Sequence, residues 1–195
     1  MKSVLGVVLI ILIFFFFSGC SDDVPNTSDT THQIGSSESF TYSESYTDLS
    51  KQFMGGQYIG VLRSEIPLPA ETIYMESADA VGFDNVSING VCGNLTMMFE
   101  DNRSISCTFG SKAFKDKSDF SVQLNTMNEK VADAFGIPVK EFDVICNEKE
   151  LDEREAVFSG KGVLKAEYDV GNYILTISAI GSNGEAIITV TQLLK

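Results

Sequence analysis

The chain has one histidine, His32, no tryptophan and few cations among its 195 residues. Its 14 lysines and arginines stand against 27 aspartates and glutamates, which gives a net charge of −13. A single histidine leaves no material for a Ser-His-Asp triad, a histidine-based zinc site or a histidine general base in the folded part. The acidic excess argues against binding to nucleic acid and against polybasic attachment to membranes.

The first 20 residues read MKSVLGVVLIILIFFFFSGC. Lys2 precedes an apolar run, Val4–Phe17, that is shorter than the roughly 20 residues of a membrane-spanning helix and fits a secretory signal. The residues Phe17-Ser18-Gly19-Cys20 resemble the lipobox of bacterial lipoproteins, with Phe17 where leucine is usual. The resemblance implies a signal peptide over residues 1–19, cleavage before Cys20 and diacylation of the Cys20 thiol.

Lipidation of Cys20 would anchor the protein in the cell membrane, facing outside the cytoplasm, without a protein helix. Ser21 after the cysteine would permit sorting to the outer membrane in a cell with two membranes. The alternatives are an uncleaved N-terminal anchor or a plain secretory signal, with Cys20 incidental in either case.

The composition of residues 20–50 predicts a disordered tether. Ser21–Ser50 contains 8 serines, 5 threonines, six acids and no lysine or arginine, so it has too little apolar surface to offset the entropy of ordering. A chain of this length spans about 30 Å. Residues 51–195 carry 13 basic against 21 acidic residues and have the size of a single domain.

The C-terminal end of the chain predicts a three-stranded antiparallel meander. Apolar and polar residues alternate there, and Asn183-Gly184 is typical of a type I′ hairpin turn. This turn sets Ile188 and Val190 against Ala179 and Ile177, which makes one face apolar. The other face is predicted to be solvated and carries Lys165, Glu167, Thr176, Ser178, Thr189 and Thr191.

Residues 94–110 predict another hairpin. A two-residue loop at Asp101-Asn102 would set Phe99 against Ser104, an apolar residue against a polar one. A three-residue loop that includes Arg103 is preferred because it opposes apolar residues throughout. The pairs that it predicts are Phe99 with Ile105, Met97 with Cys107 and Leu95 with Phe109.

Residues 118–135 predict an amphipathic helix, capped by Ser118 or Asp119 and stopped by Gly136 and Pro138. Its apolar residues recur at helical spacing: Phe120, Leu124, Met127, Val131 and Phe135. The alternative is a strand at the front of this segment, because Phe120, Val122 and Leu124 also alternate.

Three further segments predict strands: Tyr58–Leu62, Val86–Val91 and Glu141–Cys146. In the last of these, Phe142, Val144 and Cys146 lie on one side. Glu148–Glu155 lacks the alternating acids and central glycine of a calcium loop, and predicts a solvated turn or short helix. The fold class predicted from all segments is α+β, an antiparallel β-sheet with one amphipathic helix packed on one face.

The order of elements over Gly93–Cys146 is a hairpin, a helix that ends in Phe-Gly-Ile-Pro, and further strands. This order is similar to that of small uncharacterised bacterial lipoproteins, and faintly similar to β-lactamase-inhibitor-protein-like lipoproteins that work in envelope assembly. The paired helices that usually open the repeat of the latter family are not evident before Gly93. The resemblance implies binding rather than catalysis.

With Cys20 acylated, three cysteines remain: Cys92, Cys107 and Cys146. In the predicted hairpin Cys92 lies five residues along the strand from Cys107, about 16 Å away, which is beyond bridging distance. Cys107 and Cys146 both fall on core-facing positions and would form a disulfide if their strands are neighbours. Otherwise all three are buried free thiols.

The sequence contains no G-x-S-x-G, S-x-x-K or C-x-x-C motif, and no cofactor or metal site is predicted. One hypothesis is therefore a non-catalytic binding or envelope-accessory lipoprotein, with membrane lipid and an envelope or surface protein as partners. The alternative is a cell-surface hydrolase that uses paired carboxylates. Two convergent carboxylates in a deep pocket would favour the hydrolase, and a sheet with exposed apolar residues would favour binding.

Overall fold

The computed structural model describes residues 46–66, 72–146 and 151–195. The predicted signal peptide, Cys20 and the predicted tether as far as residue 45 lie outside the described residues. Along the described part of the chain the elements are β1 (Thr47–Asp48), α1 (Ser50–Met54), a 3-10 turn (Arg63–Glu65), β2 (Ile73–Glu76), β3 (Ala80–Ile88), β4 (Val91–Glu100), β5 (Arg103–Ser111), α2 (Lys117–Ala134), β6 (Asp143–Cys146), α3 (Glu153–Phe158), β7 (Gly162–Val170), β8 (Tyr173–Ser182) and β9 (Glu185–Leu194).

The strands form one sheet in the order β1-β3-β4-β5-β9-β8-β7-β6, with β2 also paired to β3. β1 runs parallel to β3, and the other pairs are antiparallel. The fold is therefore a sheet-rich α+β fold. The predicted class is correct, but the sheet is mixed rather than antiparallel and three helices are described rather than one. β1 and α1 are too short to produce a periodic pattern in the sequence. The segment Glu148–Glu155, predicted as a solvated turn or short helix, has residues 148–150 outside the described residues, and α3 begins in it at Glu153.

The C-terminal meander is confirmed as β7, β8 and β9. Ile188 lies opposite Ala179 and Val190 lies opposite Ile177, and all four side chains are buried. Asn183, with a φ of 53°, and the glycine after it form the turn between β8 and β9. Local alternation and a turn dipeptide are enough to specify strands that are adjacent both in sequence and in space.

The turn between β4 and β5 has two residues rather than three. Asp101 and Asn102 have φ values of 49° and 62°, the left-handed conformations that a type I′ turn requires. Phe99 then pairs with Ser104. The predicted pair of Phe99 with Ile105 is therefore wrong.

A shift in register between Met98 and Phe99 restores the predicted pairing farther along the hairpin. This β-bulge places one extra residue on β5, so that a polar two-residue turn and apolar pairing occur together. The restored pairs are Met97 with Cys107 and Leu95 with Phe109.

One predicted strand is correct only in part and another is wrong. The segment Val86–Val91 is a hairpin corner, because β3 ends at Ile88 and Asn89-Gly90 turns the chain into β4 with positive φ values of 54° and 83°. The segment Tyr58–Leu62 is irregular chain. It is held to the start of β5 by the Gly60 amide, which donates to the carbonyl of Ser104 at 2.9 Å.

The folded part of the chain begins before residue 50, where the tether was predicted to end. Thr47 and Asp48 pair with Val86 and Ser87 of β3, and Leu49 is buried in the core. The amide of Leu49 also donates to the carbonyl of Ser87 at 3.0 Å. The folded unit therefore includes residues from at least Thr47 onward.

The predicted helix over residues 118–135 is confirmed as α2, which begins one residue earlier and ends one residue earlier. Its N-cap is Asp116, whose carboxylate accepts a hydrogen bond from the Asp119 amide at 2.7 Å, so the predicted caps Ser118 and Asp119 are wrong. Gly136 follows the helix with a φ of 62°, as expected for its C-terminal stop. The strand alternative for this segment is wrong.

A polar network with a buried hydrogen bond at its centre joins α2 to β7 and to the loop after the helix. The Tyr168 hydroxyl donates to Asn128 Oδ1 at 2.5 Å, and Asn128 Nδ2 donates to the carbonyl of Lys140 at 2.8 Å. The Lys140 amide donates to the Tyr168 hydroxyl at 3.0 Å. Each of the three residues therefore satisfies a polar group of another, which fixes the position of α2 along the sheet.

The substitution Asn128→Ala is expected to lower the free energy of unfolding by about 2 kcal/mol, because the buried Tyr168 hydroxyl loses its hydrogen-bond acceptor and the Lys140 carbonyl loses a donor. Asn125→Ala on the exposed side of the same helix is the matched control. Urea denaturation of both variants measures the difference. Equal effects at the two positions would show that the network contributes nothing to stability.

Tyr58 is 2 % exposed, and burial raises the pKa of its phenol to about 12, with nearby Cys107 adding to the effect. A raised folded-state pKa stabilises the protein fully below the ordinary value near 10 and loses that contribution as the pH rises through 12. We therefore expect stability to fall between pH 10 and 12. Tyr58→Phe should flatten this fall and Tyr74→Phe, at an exposed position, should not, as measured by urea unfolding at each pH.

Candidate functional site

The two faces of the sheet differ in what covers them. On the core face, Gln192 of β9 donates from Nε2 to the carbonyl of Phe53 in α1 at 2.7 Å. Tyr168 of β7 contacts α2 through Asn128, and a Cβ at Gly162 of β7 would lie 2.7 Å from Ala156 of α3. Each described helix thus contacts the core face, and the alternate side chains of the strands point to the other face. We call that second face the outer face.

A row of threonines crosses four neighbouring strands on the outer face. The register sets Thr96 beside Thr108, Thr108 beside Thr191 and Thr191 beside Thr176, and Glu167 continues the row on β7. The hydroxyls of Thr108 and Thr191 are 3.2 Å apart and form a hydrogen bond. With strands about 4.8 Å apart, the four threonines span about 14 Å. The middle of the outer face is therefore small and polar.

A row of aliphatic side chains runs along one end of the outer face. Ile187 lies opposite Ile180, the register of β7 and β8 carries the row to Val163, and Val163 lies opposite Ile145 of β6. Exposure rises along the row, because the first three residues are half-buried and Ile145 is 60 % exposed. We call these four residues the aliphatic row.

β6 is the last strand on its side of the sheet and pairs with β7 over four residues without a bulge. Its second exposed apolar residue, Val144, is 39 % exposed and lies opposite Leu164 on the core face. Among the described residues no further strand pairs with β6, and we call the side of β6 away from β7 the β6 edge. β6 exposes two large apolar side chains, Val144 and Ile145, as β2 does with Tyr74 and Met75, and Ile145 is the most exposed of the four at 60 %.

Acidic side chains surround the β6 edge. Glu141 and Asp143 are exposed on the chain that leads into and forms β6, and Asp152 and Glu153 are exposed at the start of α3, which packs against β6. Lys165, opposite Asp143, forms an ion pair with Glu167 at 2.7 Å. Lys140 and Lys161 are also exposed beside β6 along the chain, so the surface around β6 carries charges of both signs.

The described residues contain no buried aspartate or glutamate, and the buried polar side chains are serine, threonine, asparagine and glutamine. Hydrogen bonds from Ser50 lower the pKa of the Asp48 carboxyl. A hydrogen bond from Lys195 likewise lowers the pKa of Asp169. Both changes hold the carboxylate charged, the opposite of what a general acid in a glycosidase needs. Within the described chain, no three residues of the histidine, cysteine and acidic types converge on a point where a metal would bind.

A cleft of about 420 Å³ opens between the β3–β4 turn and the start of α2. The residues with a thiol or a charged group that line this cleft are Cys92, Lys112, Lys115 and Asp119. Among the described lining residues Asp119 is the one carboxylate. Lys115 forms an ion pair with Glu185, with 3.4 Å between its Nζ and Glu185 Oε1. The cleft therefore lacks the paired carboxylates that the hydrolase hypothesis requires.

The structure does not bring the predicted disulfide partners together. Cys107 lies on β5 and Cys146 on β6, and β9, β8 and β7 stand between them. Four strand spacings amount to about 19 Å, far beyond the reach of a disulfide. Cys107 is a free thiol with no exposed surface, and burial raises its pKa. The disulfide prediction is therefore wrong, and Cys107 acts as a small core hydrophobe.

Sequence analysis missed Ile145. The alternation of Phe142, Val144 and Cys146 suggested one buried side and one solvated side, and Ile145 falls on the second. Strand order makes the difference, because the terminal position of β6 exposes Val144 and Ile145 together. An isoleucine on the predicted wet side of a strand was the one available signal.

None of the helices in the described ranges is long and apolar enough to cross a membrane. No family model, curated protein or solved structure matches this chain.

Proposed function

We propose that this protein is a membrane-anchored, extracytoplasmic lipoprotein that binds an envelope or surface protein and performs no catalysis. The observation that carries the proposal is the exposed β6 edge with Val144 and Ile145, at the end of the aliphatic row. Exposed apolar side chains in a continuous row are typical of an interaction surface.

The proposed architecture separates anchor from binding surface. Acylated Cys20 holds the protein on the membrane, and the segment that follows it lets the folded unit reach about 30 Å. In the folded unit, α2 is the amphipathic helix that covers the core face. Its buried residues include Phe120, Leu124, Met127 and Val131. The outer face and the β6 edge are then left for a partner.

The distribution of carboxylates supports binding over hydrolysis. A glycosidase needs two carboxyl groups within about 10 Å across a substrate cleft, one of them with a raised pKa. Asp119 is the one carboxylate among the residues that line the described cleft, and every described acid lies at the surface or half-buried. Among the described residues the hydrolase alternative therefore has no pair of carboxylates to which the reaction is assigned.

Cross-linking in native membranes followed by affinity capture tests the proposed function. The control carries residues 1–45 of this chain fused to an unrelated folded domain, so that it shares the anchor and lacks the binding surface. We expect at least one envelope protein to be enriched with the full chain over this control. Identical sets of captured proteins would contradict a binding function of the folded unit.

A further inference from the structure

We infer that Asn89 is a site of spontaneous deamidation, at which the folded chain converts its own side-chain amide to a carboxylate. The reaction joins the backbone nitrogen of the next residue to the asparagine side chain, and glycine at that next position leaves the approach open. The chain has two Asn-Gly pairs, Asn89-Gly90 and Asn183-Gly184, each at the turn of a hairpin. Their surroundings differ, and the difference assigns the reaction to Asn89. The inference does not depend on the proposed binding function.

The two turns have the same backbone conformation. Asn89 and Asn183 have φ values of 54° and 53°, and the glycines that follow them have φ values of 83° and 84°. A Cβ added at either glycine would meet no atom within 4 Å, so both glycines lie beside open space. Turn geometry and the local dipeptide therefore give the two sites comparable intrinsic rates.

A hydrogen bond protects the backbone nitrogen of Gly184. Its N–H donates to the carbonyl of Phe158, the last residue of α3, at 3.0 Å. This bond must break before the nitrogen loses its proton and attacks the asparagine side chain. At the other turn, no carbonyl of the described residues accepts a hydrogen bond from the Gly90 amide. Gly90 therefore supplies the freer nucleophile.

Lys130 of α2 favours the reaction at Asn89 further. Its Nζ donates to the backbone carbonyl oxygen of Asn89 at 3.3 Å, and this carbonyl belongs to the same peptide group as the Gly90 nitrogen. When that nitrogen loses its proton, negative charge spreads onto the carbonyl oxygen. The ammonium group already lies where this charge develops and stabilises it.

One contact of the Asn89 side chain acts in the opposite direction. Its Nδ2 donates to Sδ of Met127 at 3.6 Å, which restricts the side chain. A thioether sulfur is a weak acceptor. We therefore expect this contact to slow the attack less than the amide–carbonyl bond slows it at Gly184.

Water is the only other reactant that the chemistry needs. Hydroxide from water takes the Gly90 proton, and the nitrogen forms a bond to Cγ of Asn89. The bond between Cγ and the side-chain nitrogen breaks, and that nitrogen takes a proton from water and leaves as ammonia. Water then opens the resulting five-membered imide at either carbonyl, which leaves an aspartyl or an isoaspartyl residue at position 89. The isoaspartyl product lengthens the backbone of the two-residue turn between β3 and β4.

The test follows both sites in the same molecule. The full chain in detergent is incubated in mildly alkaline buffer, and the peptides that contain residues 89 and 183 are quantified over time by mass spectrometry. We expect the amide at residue 89 to be lost about fivefold faster than the amide at residue 183, because the bond from Gly184 to Phe158 must first break. In guanidinium, which unfolds the chain, the two rates should become similar.

Lys130→Gln tests the contribution of the cation, with Asn183 as the internal control. We expect this variant to lose the amide at residue 89 about two- to fivefold more slowly and the amide at residue 183 at an unchanged rate. Circular dichroism verifies that Lys130→Gln keeps its fold. An unchanged rate at residue 89 would contradict the part assigned to Lys130.

Two results would overturn the inference as a whole. One is loss of the amide at residue 183 that is as fast as, or faster than, loss at residue 89 in the folded chain. The other is an amide at residue 89 that is lost only in guanidinium, which would show that the folded turn prevents the reaction.

Discussion

Replacing Phe120→Ala is expected to lower the free energy of unfolding by about 4 kcal/mol, the range seen when a buried aromatic side chain is truncated. Phe120 has no exposed surface. Its ring makes edge-to-face contacts with Phe114, at a centroid distance of 5.9 Å, and with Phe158, at 5.3 Å. The truncation removes both contacts and leaves a cavity where α2 meets α3. Urea or thermal denaturation measures the loss.

Val122→Ala is the matched control for Phe120→Ala. In a helix, Val122 lies on the side away from Phe120 and Leu124, and its side chain is 58 % exposed, so we expect a change within about 0.5 kcal/mol. In a strand, all three residues would share one face. Comparable losses at residues 120 and 122 would therefore contradict the helix and favour the strand that the sequence also permits.

Cys20→Ala is expected to release the protein from the membrane. Each methylene of an acyl chain in the bilayer contributes about 0.8 kcal/mol, and two chains give stable anchoring where one gives marginal binding. Loss of the acylated thiol should therefore move the protein from the pelleted membranes to the soluble fraction, or leave unprocessed precursor. Membrane fractionation with mass spectrometry of the N-terminal peptide measures both outcomes.

Cys92→Ala is the control for Cys20→Ala, since it removes a thiol of the folded unit and leaves the lipobox-like sequence intact. It should remain in the membrane fraction. Unchanged processing and retention of Cys20→Ala would contradict lipidation, and residues 1–19 still attached to the unmodified chain would show that the apolar run of Val4–Phe17 is an uncleaved anchor. Globomycin, which blocks the lipoprotein signal peptidase, should lead to accumulation of precursor in the unmodified chain.

Local patterns predict the parts of this fold whose partners are close in sequence. The meander of β7, β8 and β9 follows from alternation and from Asn183-Gly184, and α2 follows from 18 residues with a helical period. The β4–β5 register is predicted only in its distal part, because the bulge between Met98 and Phe99 leaves no mark in the apolar pattern. The extra residue on β5 can be inferred only when the turn is known to have two residues.

Long-range pairing explains what the sequence does not reveal. β5 pairs with β9, so that Phe109 lies opposite Val190, and this contact between distant segments sets the order of all later strands. It separates Cys107 from Cys146 and leaves β6 at the edge. β1 has two residues and a parallel partner, which no periodic pattern encodes.

The residues of the candidate site also differ in whether the local sequence predicts them. Cys20 is predicted from a contiguous motif and stays a prediction, since it lies outside the described residues. Ile145 is exposed because of where its strand sits in the sheet, a property of the whole topology. An exposed edge residue and a buried strand residue have the same local sequence signature, so the exposure of β6 is visible only in three dimensions.

Site-specific photo-cross-linking in native membranes tests most directly whether this protein works by binding through its β6 edge. A photoreactive phenylalanine analogue is placed at residue 145 in one chain and at residue 122 in another, two positions of nearly equal exposure, 60 % and 58 %. The account predicts a discrete cross-linked partner from residue 145 and none from residue 122. The same products from both positions, or none from residue 145, would contradict it.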